Sequence, residues 1–136
     1  MSCFLITGGA GFFGSILKKQ LLSEGHRCVS IDLCPDADSH ENLVSVRGDI
    51  RDKELVEKLF NENQFEAVFH LAAMLAHDRK RINDLWTSNV EGTEIIADTC
   101  IRHNVKKLAF TSSNCLWAKN FDSPVTEEEI PNPIEI

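Results

Sequence analysis

Apolar residues gather into five short runs separated by longer amphipathic stretches, and this alternation predicts strands and helices in turn. The runs are Cys3-Phe4-Leu5-Ile6-Thr7, His26 to Asp32, Leu43-Val44-Ser45-Val46-Arg47, Ala67 to Leu71 and Lys107 to Thr111. Each has strand length and is bounded by turn residues. Between the first two, Phe13, Ile16, Leu17 and Leu21 share one helical face, Lys18, Lys19 and Glu24 lie off it, and Gly25 is placed to end the helix. Asp52 is an N-cap candidate for a second helix through Leu55, Val56, Leu59 and Phe60 to about Asn63. Asn83 to His103 carries a third near-helical pattern, interrupted by Gly92, for which close approach of another backbone is a reasonable account. Cys34 to Asn42 is polar and turn-rich, hence a loop. Strands alternating with helices imply an α/β fold with a doubly wound parallel sheet and right-handed crossovers. No repeat or internal boundary divides residues 1–136.

The first run opens into Gly8-Gly9-Ala10-Gly11-Phe12-Phe13-Gly14, which fits both Gly9-x-Gly11-x-x-Gly14 and Gly8-x-x-Gly11-x-x-Gly14. Glycines so spaced allow a tight turn, approach of backbone amides to a pyrophosphate, and close packing of helix on strand. The helix N-terminus behind them favours negative phosphates. The second run ends in Asp32, 18 residues after Gly14, where a dinucleotide site needs an acceptor for the adenosine ribose hydroxyls. A carboxylate there would repel the extra phosphate of NADP, so the pattern points to NAD in a Rossmann-type sheet. The plainer reading of Asp32 is a turn residue opening the loop that contains Pro35. Asp49-Ile50 and Ser112-Ser113 also fall at strand ends, the edge along which such a sheet binds its ligand.

Acidic residues outnumber basic ones, 21 to 14, for a net charge of −7, which argues against a nucleic-acid footprint. Arg79-Lys80-Arg81 is the one basic cluster and reads as a solvated loop or helix start, with contact to an anionic substrate as the lesser alternative. The five cysteines, at 3, 28, 34, 100 and 115, show no metal-ligand spacing, and several lie in apolar runs as reduced core thiols do. No metal, no membrane segment and a cytoplasmic location are the expectations.

The whole chain resembles the extended short-chain dehydrogenase/reductase family, the NAD-dependent sugar-nucleotide epimerases and dehydratases. Thr7 to Gly14 matches its Thr-Gly-x-x-Gly-x-x-Gly motif, and Gly48-Asp49-Ile50-Arg51-Asp52 resembles the segment whose Asp and following aliphatic residue hold the adenine. His70-Leu71-Ala72-Ala73 matches the small-residue turn along the cofactor, and Asn89-Val90-Glu91-Gly92-Thr93 the helix motif whose Asn orders the active site. The resemblance thus implies an NAD-binding Rossmann domain over 1–136, with Gly8, Gly11, Phe12, Phe13, Gly14, Asp32, Asp49, Ile50, Leu71, Ala72, Ala73 and Asn89 at the cofactor. Thr111-Ser112-Ser113 resembles the strand-five stretch whose last Ser bonds the reacting substrate oxygen, which makes Ser113 the catalytic candidate. Taken singly, Asp49, His70, Asn89 and the two serines also have plainer readings as turn, strand-end, helix-surface and capping residues. Trp117-Ala118 stands where the family has Tyr-Gly.

The family uses a Tyr as proton carrier, with a Lys four positions later to lower its pKa. This chain has no tyrosine, and Thr126 to Ile136 resembles the segment that runs into that Tyr-x-x-x-Lys helix. The expectation is an N-terminal portion, inactive by itself, of an enzyme that handles a nucleotide sugar by transient hydride transfer and is a homodimer when complete. An alcohol or steroid-type dehydrogenase or reductase of the same family and a non-catalytic dinucleotide sensor remain as alternatives.

Overall fold

The computed structural model describes residues 1–75, 79–113, 116–117 and 124–133. Cys115, Ala118 and the closing residues 134–136 lie outside that set. The order is β1 (Cys3–Thr7), α1 (Phe12–Ser23), β2 (Arg27–Asp32), β3 (Leu43–Arg47), α2 (Lys53–Glu62), β4 (Ala67–His70), a 3-10 turn (Arg79–Arg81), α3 (Ile82–Trp86), a π-helical turn (Thr87–Glu91), α4 (Gly92–Arg102) and β5 (Lys107–Phe110). All five strands are parallel in the order β3-β2-β1-β4-β5, so the direction of winding reverses between β1 and β4. This is the expected Rossmann-type doubly wound sheet, and it places a crevice at the carboxyl ends of β1 and β4.

Alternate residues of the central strands feed two cores. Leu5, Val29, Ile31 and Val68 meet Val56, Leu59 and Phe60 of α2 and Ile96 and Cys100 of α4 on one face. Ile6 and Cys28 meet Leu21 and Leu22 of α1 on the other. Burial of each such side chain contributes about 1.5–3 kcal/mol against the entropy of ordering the chain. The expected core thiols Cys28 and Cys100 are buried, and burial pushes both up to about 11. Cys34 is exposed. Asp52 caps α2 as expected, its carboxylate accepting from the Leu55 amide at 3.0 Å.

Three expectations are corrected. The buried face of α1 is Gly14, Lys18, Leu21 and Leu22, while Phe13 and Ile16 are 55% and 50% exposed. Gly14 sets this rotation: its backbone lies so close to Gly8 that a Cβ there would stand 2.4 Å from the Gly8 carbonyl oxygen. One turn on, Lys18 is carried inward, where Asp36 and Asp38 receive it. Gly92 makes room for a side chain rather than a backbone, since a Cβ on it would stand 2.7 Å from Ile50 Cδ1. The helix expected over 83–103 is interrupted by the π turn at Thr87–Glu91. Such wide turns recur at functional sites, and this one carries Asn89.

No described helix is long and apolar enough to cross a membrane, and no described group of three His, Cys, Asp or Glu side chains could hold a metal ion.

Candidate functional site

Loops from the carboxyl ends of β1, β2, β3 and β4 enclose a pocket of about 340 Å3. Gly8, Gly11, Asp32, Asp49, Ile50, Leu71, Ala72 and Ala73, eight of the residues singled out in the sequence, line it together. A larger groove of about 980 Å3 runs between α2 and α4, but it is an open trough of charged side chains and shares no residue with the strand-end pocket.

The floor is built by close backbone approach. Gly8 has φ +73, and a Cβ on it would stand 2.8 Å from the Ala72 amide nitrogen. Any side chain would therefore be both strained and obstructed. Its amide donates to the Ile31 carbonyl at 2.8 Å, which ties the turn to β2. At the start of α1, Gly11 offers no side-chain cap and the first turn contains no acidic residue, so the helix amides retain their affinity for an anion. Gly14 stands behind this turn as its packing contact, and Phe12 projects into solvent at 85% exposure.

Asp32 does more than end β2. One carboxylate oxygen accepts from the Ala10 amide at 3.0 Å and the other from the Cys34 amide at 2.9 Å. It thus braces the glycine loop and forms the local turn, while each oxygen keeps lone-pair capacity for a further donor. Asp49 is held differently. The Arg51 guanidinium meets it at 2.6 Å and 3.0 Å and the Arg51 amide at 2.9 Å, and these contacts, Arg51 foremost, keep its carboxyl below the usual range. Arg51 also donates to Thr87 Oγ1 at 2.9 Å, which links the β3 loop to the π turn.

His70 is 1% exposed, and both ring nitrogens are satisfied. Thr93 Oγ1 donates to the Asn89 carbonyl at 2.6 Å, so it accepts from His70 Nε2 at 2.9 Å. Thr7 Oγ1 accepts from the Leu71 and Ala72 amides at 3.2 Å and 3.1 Å, and its own proton goes to His70 Nδ1 at 2.7 Å. This chain fixes a neutral imidazole with the proton on Nε2. Burial lowers its pKa to about 4. Asn89 adds a two-point clamp, accepting from the Met74 amide at 2.7 Å and donating to the Met74 carbonyl at 2.9 Å. The segment Leu71 to Met74 that lines the pocket is thereby held from both ends.

Phe12, Phe13, Gly14, Asn89 and Ser113 do not line the pocket. Gly14 and Asn89 support it from behind, and Ser113 lies past the end of β5, its carbonyl accepting from the Leu116 amide at 3.4 Å. Sequence reasoning missed Arg51, Met74, Asp84 and Ser88 in the pocket wall and gave Arg81 a place near a ligand only as the lesser alternative. Arg51 was within reach as the cation two residues after Asp49. Arg81 belongs to the run read as solvated; it is exposed, pairs with Asp84 at 3.7 Å, and still borders the pocket.

The family model of the NAD dependent epimerase/dehydratase family matches residues 4–135. The chain belongs to this family. The likeness reaches individual relatives: 36% identity over 139 residues to UDP-glucose 4-epimerase 4 of Oryza sativa subsp. japonica, covering 91% of this chain and 38% of that protein. Short-chain dehydrogenase/reductase family 42E member 1 of Danio rerio is 39% identical over 113 residues, covering 81% of this chain and 29% of that one. The crystal structure of UDP-glucose 4-epimerase from Bifidobacterium longum in complex with NAD+ and UDP superposes with a TM-score of 0.86 at 27% identity, covering 96% of this chain and 43% of that one. The chain therefore spans less than half the length of the relatives it matches.

Proposed function

We propose that this epimerase/dehydratase family chain binds NAD in the strand-end pocket and forms the cofactor-binding part of an enzyme acting on a nucleotide sugar. The observation that carries the reading is the convergence of Gly8, Gly11, Asp32, Asp49, Ile50 and Leu71 to Ala73 on one pocket at the point where the sheet reverses its winding. The residues fit the cofactor, because the Gly8 cradle is one that a Cβ would fill. When bound, NAD supplies a site that accepts and returns a hydride.

The chain's own residues bind and orient. Amides at the start of α1 receive the pyrophosphate, Asp32 accepts the adenosine ribose hydroxyls, and Asp49 with Ile50 borders the adenine. Leu71 to Ala73, held by Thr7 and Asn89, form a firm wall along the dinucleotide. Ser113 hydrogen-bonds the substrate oxygen. With no tyrosine among these residues, the proton-carrying pair of the family is not supplied here, and residues 1–136 alone do not turn over. The nucleotide-sugar substrate and homodimeric assembly belong to this proposal for the whole protein.

A titration of NAD and NADP against wild type and Asp32→Ala tests the cofactor reading. NAD is expected to bind wild type more tightly than NADP, and Asp32→Ala to weaken NAD by about tenfold or more, as loss of even one charge-assisted hydrogen bond does. Unchanged NAD affinity in the variant would sink the ribose assignment. Epimerase or dehydrogenase activity from residues 1–136 would refute the inactive reading. An alcohol or steroid-type dehydrogenase or reductase is the second reading, and the Danio rerio relative, named for a dehydrogenase/reductase family and 39% identical, is the observation that favours it. The product formed from an alcohol or a nucleotide sugar by the whole protein separates the two.

A further inference from the structure

Lys18 is a lysine on the buried face of a helix whose other inward residues are Gly14, Leu21 and Leu22. Its side chain is 0% exposed, and that of its partner Asp36 is 4% exposed. The ammonium is hydrogen-bonded to Asp36 and lies 3.1 Å from Asp38. Asp36 is further held by Ser30 Oγ at 2.9 Å and by the Asp38 amide at 3.0 Å, and Asp38 accepts from Ser15 Oγ at 3.1 Å. Burial opposes the charge on Asp36, yet Lys18, the Asp38 amide and Ser30 together keep its carboxyl below the usual range. Lys19, at 3.6 Å from Asp38, adds a second cation to this cluster.

The position of the cluster gives it a purpose beyond packing. Removing an ammonium from water is costly, and apolar side chains in place of a whole buried ion pair commonly fold as well. What the ion pair adds is a fixed link between α1, whose N-terminus follows the glycine turn that lines the pocket, and the loop that begins at Asp32. That loop is tied at Leu33, whose carbonyl accepts from Arg47 Nε at 3.1 Å, at Cys34 by Asp32 itself, and at Asp36 and Asp38 by α1.

We propose that Lys18 is a positioning residue of the adenosine site: it straps the loop after β2 to α1, and so fixes Asp32 relative to the pyrophosphate-binding turn. The inference rests on the NAD reading above. It places the aim of the ribose-binding carboxylate under the control of a residue that touches no part of the ligand.

A double-mutant cycle on NAD affinity, with Lys18→Met and Asp32→Ala alone and combined, tests it, melting temperatures being recorded alongside. Lys18→Met is expected to weaken NAD by about tenfold in the wild-type background and by less than about twofold when Asp32 is already Ala, because the strap acts through Asp32. Equal losses in both backgrounds, or no loss in either, overturn the proposal. Should Lys18→Met fail to fold, Asp36→Asn, which keeps the size of the side chain and an oxygen for the Asp38 amide, is put through the same cycle: a loss confined to the Asp32 background supports the strap, and equal losses or none overturn it. A folded wild type that binds no NAD overturns the cofactor reading itself. A wild type that binds while the Lys18 variant binds equally well overturns only the role of Lys18.

Discussion

Lowering the pH should loosen this protein through His70 before its carboxylates titrate. In the folded chain the imidazole is neutral because Thr7 Oγ1 already accepts two amides and gives its proton to Nδ1. A second ring proton would face that hydroxyl with no lone pair to receive it. The pKa lies at about 4 instead of 6.5, with burial as the cause. A histidine whose folded pKa is depressed contributes stability that is complete above the unfolded pKa and is lost as pH falls toward the folded one. At about 1.4 kcal/mol per unit, the loss is about 2 kcal/mol by pH 5 and about 3 kcal/mol by pH 4. Asp36, Asp38 and Asp49 have lowered pKa values, so their contribution persists above the ordinary carboxylate value and falls away only below about pH 4. The two windows are therefore separate. Guanidinium unfolding of wild type and His70→Gln at pH 7 and pH 5 is the assay, the expected result being that wild type loses about 2 kcal/mol more than the variant. Equal losses, or an NMR titration of the His70 ring near 6.5, would refute the reasoning.

Other perturbations test the frame of the pocket. Gly14→Ala places a Cβ 2.4 Å from the Gly8 carbonyl oxygen and 2.7 Å from Gly9 Cα, backbone atoms that cannot rotate aside. It is expected to cost about 2 kcal/mol in guanidinium unfolding and to weaken NAD, and a variant as stable as wild type would contradict the account of how α1 is seated. Asn89→Ala removes both hydrogen bonds to Met74, about 1–2 kcal/mol of local stability. Hydrogen exchange at the Met74 amide should accelerate while β1 amides keep their protection; an unchanged rate at Met74 would show that the clamp does not hold the wall.

Much of the architecture was legible because strand length, helical period and glycine spacing are properties of neighbouring residues. β3 occupies the expected Leu43–Arg47, and α2 begins at its expected cap. The eight pocket residues were legible as neighbours because a parallel sheet delivers the ends of its strands to one edge. Periodicity failed on α1, where Phe13 and Ile16 look like core but face solvent. Hydrophobicity cannot weigh a glycine contact, and it was the approach of Gly14 to Gly8 that chose the helix face.

The residues alone thus determined the class of fold, the glycine turn after β1 and the placing of Asp32 at the end of β2, since each depends on short-range order along the chain. The tertiary structure decided what those residues do with their remaining bonds. It put Lys18 under Asp36, gave Asp49 to Arg51, and set the proton of His70 through Thr7 and Thr93. Except for Arg51, two residues from Asp49, these partners lie 18 to 63 positions away, so only folding could bring their charges and lone pairs within reach.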